Sequence, residues 1–379
     1  IPGILDYNEA DVLATTQLLH KMMPLIDFPR ALFRGDYVKS MSLVEQRGVP
    51  VDVETLRKIQ EAWPRLKEQL IGRANQIFPF YDEDQVFKLK KFSKFLKREK
   101  IPWQRTSQGP VTRAEYMEEK AKFYPQIYTL REIRVTIDKF KSLKLPIGLD
   151  GRNRFLISPF KSLTGRNQPK ASQNIFSFPK WFRNLIRPEF GRAMAYVDWS
   201  AAEFGEAAFL SGDDLMMECY RAEDPYLYFA MMSDFAPEGA TKKTEPVVRS
   251  QFKELCLGMQ YGQGVRGIAR RLHISEFRAK RLHKLHRRTF GRFWQWSDAM
   301  VNNAILYRKI QAPLGWAYHV RSREFDENGH KKGPEVLTLR NWPMQSAGSE
   351  MMRAASIFLA DEGIKTNAIV HDAFLISSP

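Results

Sequence analysis

Cysteine is nearly absent from this sequence. Only Cys219 and Cys256 occur among 379 residues. Two cysteines cannot make a disulfide framework or a four-cysteine zinc site, so they read as reduced intracellular thiols. Long apolar runs are missing as well: none approaches the roughly 20 residues of a membrane span, so no membrane-spanning segment is expected. The seven histidines are His20, His273, His283, His286, His319, His330 and His371. None has a cysteine at zinc spacing, and His283 and His286 read as part of a basic helix face. Gly262-Gln263-Gly264 lacks the Walker spacing and the following Lys-Ser/Thr, which excludes a phosphate loop there. Internal repeats and low-complexity segments are also missing. Acidic residues are the minority, 43 Asp and Glu against 59 Lys and Arg, for a formal net charge of +16. That surplus points to a polyanionic partner, nucleic acid or acidic lipid; a merely basic surface is the plainer alternative.

What is present is ordinary globular material. Hydrophobic residues make up 44% and aromatics 12%, which excludes global disorder, and the length predicts two or three domains. The sequence starts at Ile1 without a signal-like region and stops at Pro379, just after the apolar run Asn367 to Ile376, so a fragment or lost termini are expected. Apolar spacing predicts an amphipathic helix over 8–22, with Val12, Leu13, Leu18, Leu19 and Met22 on its apolar side. Another helix is predicted over 36–48, ended by Gly48. Residues 85–100 interleave lysines with Phe87, Phe92, Phe95 and Leu96, which suits either a solvated helix face or phosphate contact. Residues 114–144 read as helical. A short β-type run over 193–198 is followed by helical texture from about 201 to 308. Pro313, Gly315, Gly329, Gly333 and Pro334 suggest hairpins. A helix near 344–362 then leads into a final β-rich segment. The order predicts an α+β fold with an inserted helical subdomain.

Three constellations carry chemistry. Asp198-Trp199-Ser200-Ala201-Ala202-Glu203 is a strand end running into a helix, where a carboxylate can hold a divalent cation or simply cap the helix. Arg249, Lys253, Leu257 and Tyr261 are spaced by four, so each drifts only about 40° around a helix from the last. Two cations suited to a triphosphate, then an apolar and an aromatic residue suited to a base, therefore line one stripe; a basic surface helix with a half-buried Tyr is the alternative. Ile369-Val370-His371-Asp372 ends the last apolar run, and taken alone a tight turn explains it. Taken together, two carboxylates far apart in sequence could hold two metal ions about 4 Å apart and clamp an in-line phosphoryl transfer.

The ordered set resembles the family A DNA polymerases. Val197 to Asp213 (VDWSAAEFGEAAFLSGD) is similar to that family's motif A, DYSQIELR. Arg249 to Leu272 is similar to motif B, RxxxKxxxFxxxYG, and Ile369 to Ile376 to motif C, VHDE. Ser162 to Ile175 resembles TGRLSSxxPNLQNIP, Asn341 to Ala355 resembles NxPxQGTAAD, and Arg47 to Asp52 resembles the start of the thumb.

The resemblance implies a right-hand polymerase fold: thumb, palm with an antiparallel sheet, and helical fingers. Implied boundaries are 1–29 for the end of a 3′–5′ exonuclease-like domain, 30–150 for the thumb, 151–214 for the first part of the palm, 215–300 for the fingers and 301–379 for the second part of the palm, incomplete at its C-terminus. Asp198 and Asp372 would hold two Mg²⁺ ions, with Mn²⁺ as a substitute, helped by the Trp199 backbone carbonyl. Glu203 sits where a steric gate excludes the ribose 2′-OH. Arg249 and Lys253 would grip the triphosphate, Lys253 as a catalytic group. Tyr261 would stack near the templating base, with Leu257 and Tyr226 beside the nucleotide. Arg166, Asn341, Gln345 and His371 would meet the primer-template minor groove or primer end. Tyr7 and Asp11 fit the YxxxD pattern of a proofreading exonuclease. The implied protein is a monomeric, cytoplasmic DNA-directed DNA polymerase, of bacterial or phage origin, working on primer-template DNA and deoxynucleoside triphosphates. Four positions depart from the family pattern: Ala373 replaces the Glu of HDE, Leu257 an aromatic, Tyr226 a His and Trp199 a Tyr. A single-subunit RNA polymerase-like enzyme and an inactive DNA-binding relic are the alternatives.

Overall fold

A computed structural model describes residues 2–121, 123–140, 145–320 and 336–379. The chain forms two compact units. One comprises residues 1–44, 157–168 and 196–376; the other comprises 45–156, 169–195 and 377–379.

In chain order, α1 (Pro2–Met22) and α2 (Phe28–Arg47) come first, then β1 (Val49–Pro50), α3 (Val53–Ile77), α4 (Leu89–Arg98), β2 (Arg105–Thr106), β3 (Gly109–Pro110), α5 (Ala114–Ala121), α6 (Pro125–Phe140) and β4 (Arg152–Asn153). There follow β5 (Ala193–Asp198), α7 (Ala202–Ser211), α8 (Asp214–Arg221), α9 (Pro225–Met232), α10 (Pro246–Gln260), α11 (Val265–Leu272), α12 (Glu276–Thr289) and α13 (Gly291–Tyr307). The last elements are β6 (Lys309–Gln311), β7 (Ala317–His319), α14 (Val336–Asp361), β8 (Lys365–Val370) and β9 (Ala373–Ser378).

Local chemistry sets many of these boundaries. Gly48 ends α2 with φ +64°, a conformation that only glycine adopts without strain. Asp52 caps α3 by accepting from the Thr55 backbone N–H at 2.9 Å, and Ser275 caps α12 through the Arg278 N–H. Asp224 caps α9 through Tyr226 and Leu227 N–H, with Pro225 at the first helical position, where a missing N–H costs nothing.

In the 45–156 unit, both readings of residues 85–100 find a place on α4. Phe92, Phe95 and Leu96 are buried with Phe78 and Phe80, while Lys90, Lys91, Lys94 and Lys97 face solvent. The stretch expected to be helical over 114–144 divides into α5 and α6. Pro125 opens the second helix; residues 141–144 lie outside the described residues.

In the other unit, helices α7 to α13 enclose an aromatic-rich core of Phe204, Phe229, Phe252, Phe290, Phe293 and Trp294. His286 belongs to it, which corrects the reading of this residue as part of a basic face. It is fully buried and accepts from Trp294 Nε1 at 3.2 Å. Burial pushes its pKa down to about 3, so the ring is neutral and structural. The remaining α12 face is basic: Arg278, Lys280, Arg281, Lys284, Arg287 and Arg288 are exposed. Strands β6 and β7 make the expected hairpin, with Ile310 opposite Tyr318. Gly329, Gly333 and Pro334 lie outside the described residues. Helix α14 starts eight residues before the predicted 344, running through Pro343. Buried Leu339 and Trp342 hold that first part in place against the usual helix-breaking effect of proline. Helix α1 exists and is longer than predicted, yet Val12, Leu13, Leu18, Leu19 and Met22 are each about half exposed. The apolar stripe expected from spacing is not buried by any described residue.

Candidate active site

Strands β5, β9 and β8 form one sheet in that order. Asp198 is the last residue of β5, and Asp372 sits in the two-residue turn between β8 and β9. The Trp199 N–H donates to the Asp372 carbonyl at 3.2 Å, which brings the two acidic segments side by side. The backbone is strained at both. His371, the first turn residue, has φ +55°, and Ala201, which precedes α7, has φ +48°. A left-handed non-glycine residue costs about 1–2 kcal/mol, and such costs gather at functional sites.

One side-chain network joins the three sequence patterns. Arg166 Nη2 lies 3.4 Å from Asp372 Oδ1 and 3.5 Å from Glu203 Oε1. The Tyr261 hydroxyl donates to Glu203, and Gln345 hydrogen-bonds to the same hydroxyl. Burial, and then the Glu203 carboxylate, push the Tyr261 pKa up to about 12, so the phenol stays protonated as a donor. Gly262 follows with φ +73°, and a Cβ there would meet Leu337 at 2.9 Å. Glycine therefore suits position 262 through its left-handed backbone and its close approach to α14.

On α10 the stripe behaves as its spacing predicts. Phe252, Leu255, Cys256 and Met259 are buried, whereas Arg249 and Leu257 are half-buried and Lys253 is exposed. Arg249 Nε donates to Asp224 Oδ2 at 2.5 Å, and Lys242 Nζ stands 3.6 Å from the same oxygen. Tyr226 is 3% exposed and packs edge-on against Phe204, with the Arg249 guanidinium 5.9 Å from its ring. Tyr226, expected beside the nucleotide, thus lies buried in the core beneath the Arg249 guanidinium. Asn341 and Gln345 lie four apart on α14 and are both half-buried. The Asn341 Oδ1 is buried without a hydrogen-bond partner among the described residues. His371 is exposed. Tyr7 and Asp11 are exposed one turn apart on α1, away from any described acidic cluster.

Sequence reasoning missed Glu206 and Glu350. Both line a cavity of about 360 Å³ together with Gly205, Tyr220, Leu314 and Met351. Glu350 is buried and accepts from the Leu314 and Trp316 N–H groups at 2.6 and 2.7 Å. Glu206 is half-buried, and its pKa rises to about 7 through burial, then the charges of Asp372 and Glu350, with Arg166 opposing. The only sequence signal was its place three residues after Glu203 on a helix.

Arg166 offsets this negative field only in part, and a divalent cation would relieve the rest. The donors at hand are hard carboxylate oxygens, which suit Mg²⁺ or Mn²⁺. Asp198 is exposed and makes no side-chain hydrogen bond or ion pair among the described residues. Among those residues no cluster of three or more His, Cys, Asp or Glu side chains is arranged to hold a metal ion. Two carboxylates fit an ion that takes its other ligands from water and phosphate, as Mg²⁺ commonly does.

Comparison with known proteins identifies the fold and the family. The chain has the fold of a nucleic-acid polymerase domain: it superimposes on the polymerase domain of Pol1 from M. smegmatis, solved with DNA primer-template and dNTP, with a TM-score of 0.73 at 19% identity, covering 90% of this chain and 63% of that one. The sequence pattern of DNA polymerase family A matches residues 57–379, and the chain belongs to that family. It is 23% identical to DNA polymerase I of Aquifex aeolicus over 97% of its length, and 21% identical to the thermostable DNA polymerase I of Thermus thermophilus over 89%. It spans 64% of the first relative and 42% of the second. The expected α+β, right-hand polymerase fold class is thus the observed one. Polymerases of this family generally use divalent metal ions. Among the described residues no helix is long and apolar enough to cross a membrane.

Proposed function

We propose that this chain is a template-directed DNA polymerase that adds deoxynucleotides to a primer 3′-OH and releases pyrophosphate, acting as a monomer in the cytoplasm. The observation that carries this reading is the network from Tyr261 through Glu203 and Arg166 to Asp372. It draws motifs A, B and C, far apart in sequence, into one site. Primer-template DNA and deoxynucleoside triphosphates are the proposed partners, in keeping with the net charge of +16.

Asp198 and Asp372, with the Trp199 carbonyl, would hold Mg²⁺. When bound, such ions lower the pKa of the attacking hydroxyl and neutralise charge on the phosphates. The chain's own groups do the rest. Lys253, exposed on α10, would bind the triphosphate and stabilise the charge that develops on it, donating a proton to the departing pyrophosphate. Arg249 would join it on leaving Asp224. Leu257 and Tyr261 would carry the base, and Tyr226 would support Arg249. Glu203, oriented by Tyr261, would crowd a ribose 2′-OH and so favour deoxynucleotides. Arg166, Asn341, Gln345 and His371 would read minor-groove acceptors, which every base pair offers in similar positions. Residues 30–150 are proposed as thumb, 151–214 and 301–379 as palm, 215–300 as fingers, and 1–29, with Tyr7 and Asp11, as the end of an exonuclease domain.

Primer extension with Mg²⁺ and deoxynucleotides tests the reading. Asp198→Ala and Asp372→Ala must each abolish extension; normal extension by either variant would remove the two-carboxylate assignment. A strong preference for ribonucleotides would favour the RNA polymerase-like alternative. Salt-sensitive DNA binding with no incorporation under any metal would favour the relic.

A further inference from the structure

The segment that carries Arg166 is held by an unusual set of contacts. Three consecutive carbonyls each accept from a side chain. The Leu163 carbonyl accepts from two indoles, Trp316 Nε1 at 3.2 Å and Trp342 Nε1 at 3.1 Å. The Thr164 carbonyl accepts from Ser349 Oγ at 2.8 Å. The Gly165 carbonyl accepts from Arg353 Nη1 at 3.2 Å. Gly165 itself has φ +76°, and a Cβ there would meet Arg353 Nη2 at 2.8 Å and the Trp316 ring at 2.9 Å. On the far side of Arg166, the Asn167 Oδ1 accepts from the Tyr37 hydroxyl at 2.8 Å. The backbone is pinned before Arg166 and the Asn167 side chain is held after it, while the Arg166 guanidinium reaches Asp372 and Glu203.

Arg353 is the costly member of this clamp. It is 2% exposed, and its guanidinium stands 5.3 Å from both the Phe160 and Trp316 rings. It makes no direct ion pair with a carboxylate among the described residues. Burying a guanidinium this way carries a desolvation penalty that an apolar side chain of similar volume avoids. Stability alone therefore gives a poor account of an arginine here, whereas a donor that must reach one particular carbonyl gives a direct one.

We propose that Arg353, with Trp316 and Trp342, is a positioning residue: it holds the 163–165 backbone so that Arg166 stands where the minor-groove edge of the primer-terminal base pair is read. This rests on the reading of Arg166 given above. Catalysis depends on placing such groups within a fraction of an ångström, and Arg353 does so without touching substrate.

The test uses the full chain and two primers that differ only at the terminal purine. One is natural; in the other the minor-groove acceptor N3 is replaced by CH. Loss of one charge-assisted hydrogen bond slows wild-type extension of the second primer by about 10- to 100-fold. Arg166→Ala is expected to remove that discrimination. Arg353→Met, and the milder Trp316→Phe in case the first does not fold, are expected to reduce it below about threefold through kcat, with primer-template affinity unchanged. The double variant Arg166→Ala/Arg353→Met is expected to extend no more slowly than Arg166→Ala alone, as coupled residues do. Full discrimination retained by a folded Arg353→Met or Trp316→Phe overturns the clamp and leaves the reading of Arg166 standing. Full discrimination retained by Arg166→Ala overturns both.

Discussion

Replacing Glu206 by Gln gives a pH-dependent stability change whose sign follows from the structure. The Glu206 pKa rises from an ordinary 4.5 to about 7 because the side chain is half-buried and faces the charges of Asp372 and Glu350. Between those two values the folded protein holds a proton that the unfolded chain has released. Its stability therefore falls as pH rises from about 4.5 to about 7 and levels off above. At full burial that difference is worth roughly 3 kcal/mol. Glu206 keeps partial solvent contact, and screening lowers the figure to about 1–2 kcal/mol. Gln keeps the shape and cannot ionise, so Glu206→Gln melts with the wild type at pH 5 and above it at pH 8. With an unfolding entropy of roughly 2 cal/mol/K per residue, the gain is about 1–3 °C. Thermal melts at half-unit pH steps measure it. A cation held by Asp372 screens Glu206, so millimolar Mg²⁺ is expected to shrink the pH 8 difference. A difference that stays flat from pH 5 to pH 8, or a variant less stable at pH 8, would refute the account of Glu206.

Three further outcomes are expected. Gly165→Ala forces a Cβ into Arg353 and the Trp316 ring at a left-handed position and destabilises by about 2–4 kcal/mol, read as a lower denaturant midpoint. Ala373→Glu, which restores the family's third carboxylate, buries it where Ala373 is fully enclosed; chemical denaturation should show a loss of several kcal/mol rather than improved function. Asp224→Asn removes the charge that holds Arg249 and Lys242 while Asn still caps α9; triphosphate affinity rises in a binding titration as Arg249 is released, with melting changed by less than about 1 kcal/mol.

Much of the architecture was legible in the sequence because the devices that set it are local. Gly48 ends α2 within one turn, and four-residue spacing placed Arg249, Lys253, Leu257 and Tyr261 along one stripe of α10. Boundaries failed where distant packing prevailed: Leu339 and Trp342 carry α14 past Pro343, and an aromatic core takes up His286 from a helix rich in basic residues.

The candidate site divides in the same way. Asp198, Lys253, Tyr261 and Asp372 could be named as candidates from the sequence because short, ordered patterns surround them. Glu206 and Glu350 could not, since a carboxylate's role here depends on which charges surround it, and those come from α7, α14 and the β8–β9 turn together. Nor could sequence reveal that Tyr226 sits in the core beneath Arg249, or that Arg353 grips a carbonyl 188 residues away. The sequence by itself determined the basic charge surplus, most of the helices and the identities of the acidic and basic groups, because composition and short-range periodicity encode them. Only the tertiary structure decided which carboxylates share a field and which cation neutralises them, because Coulomb energy and desolvation depend on distances through space rather than along the chain.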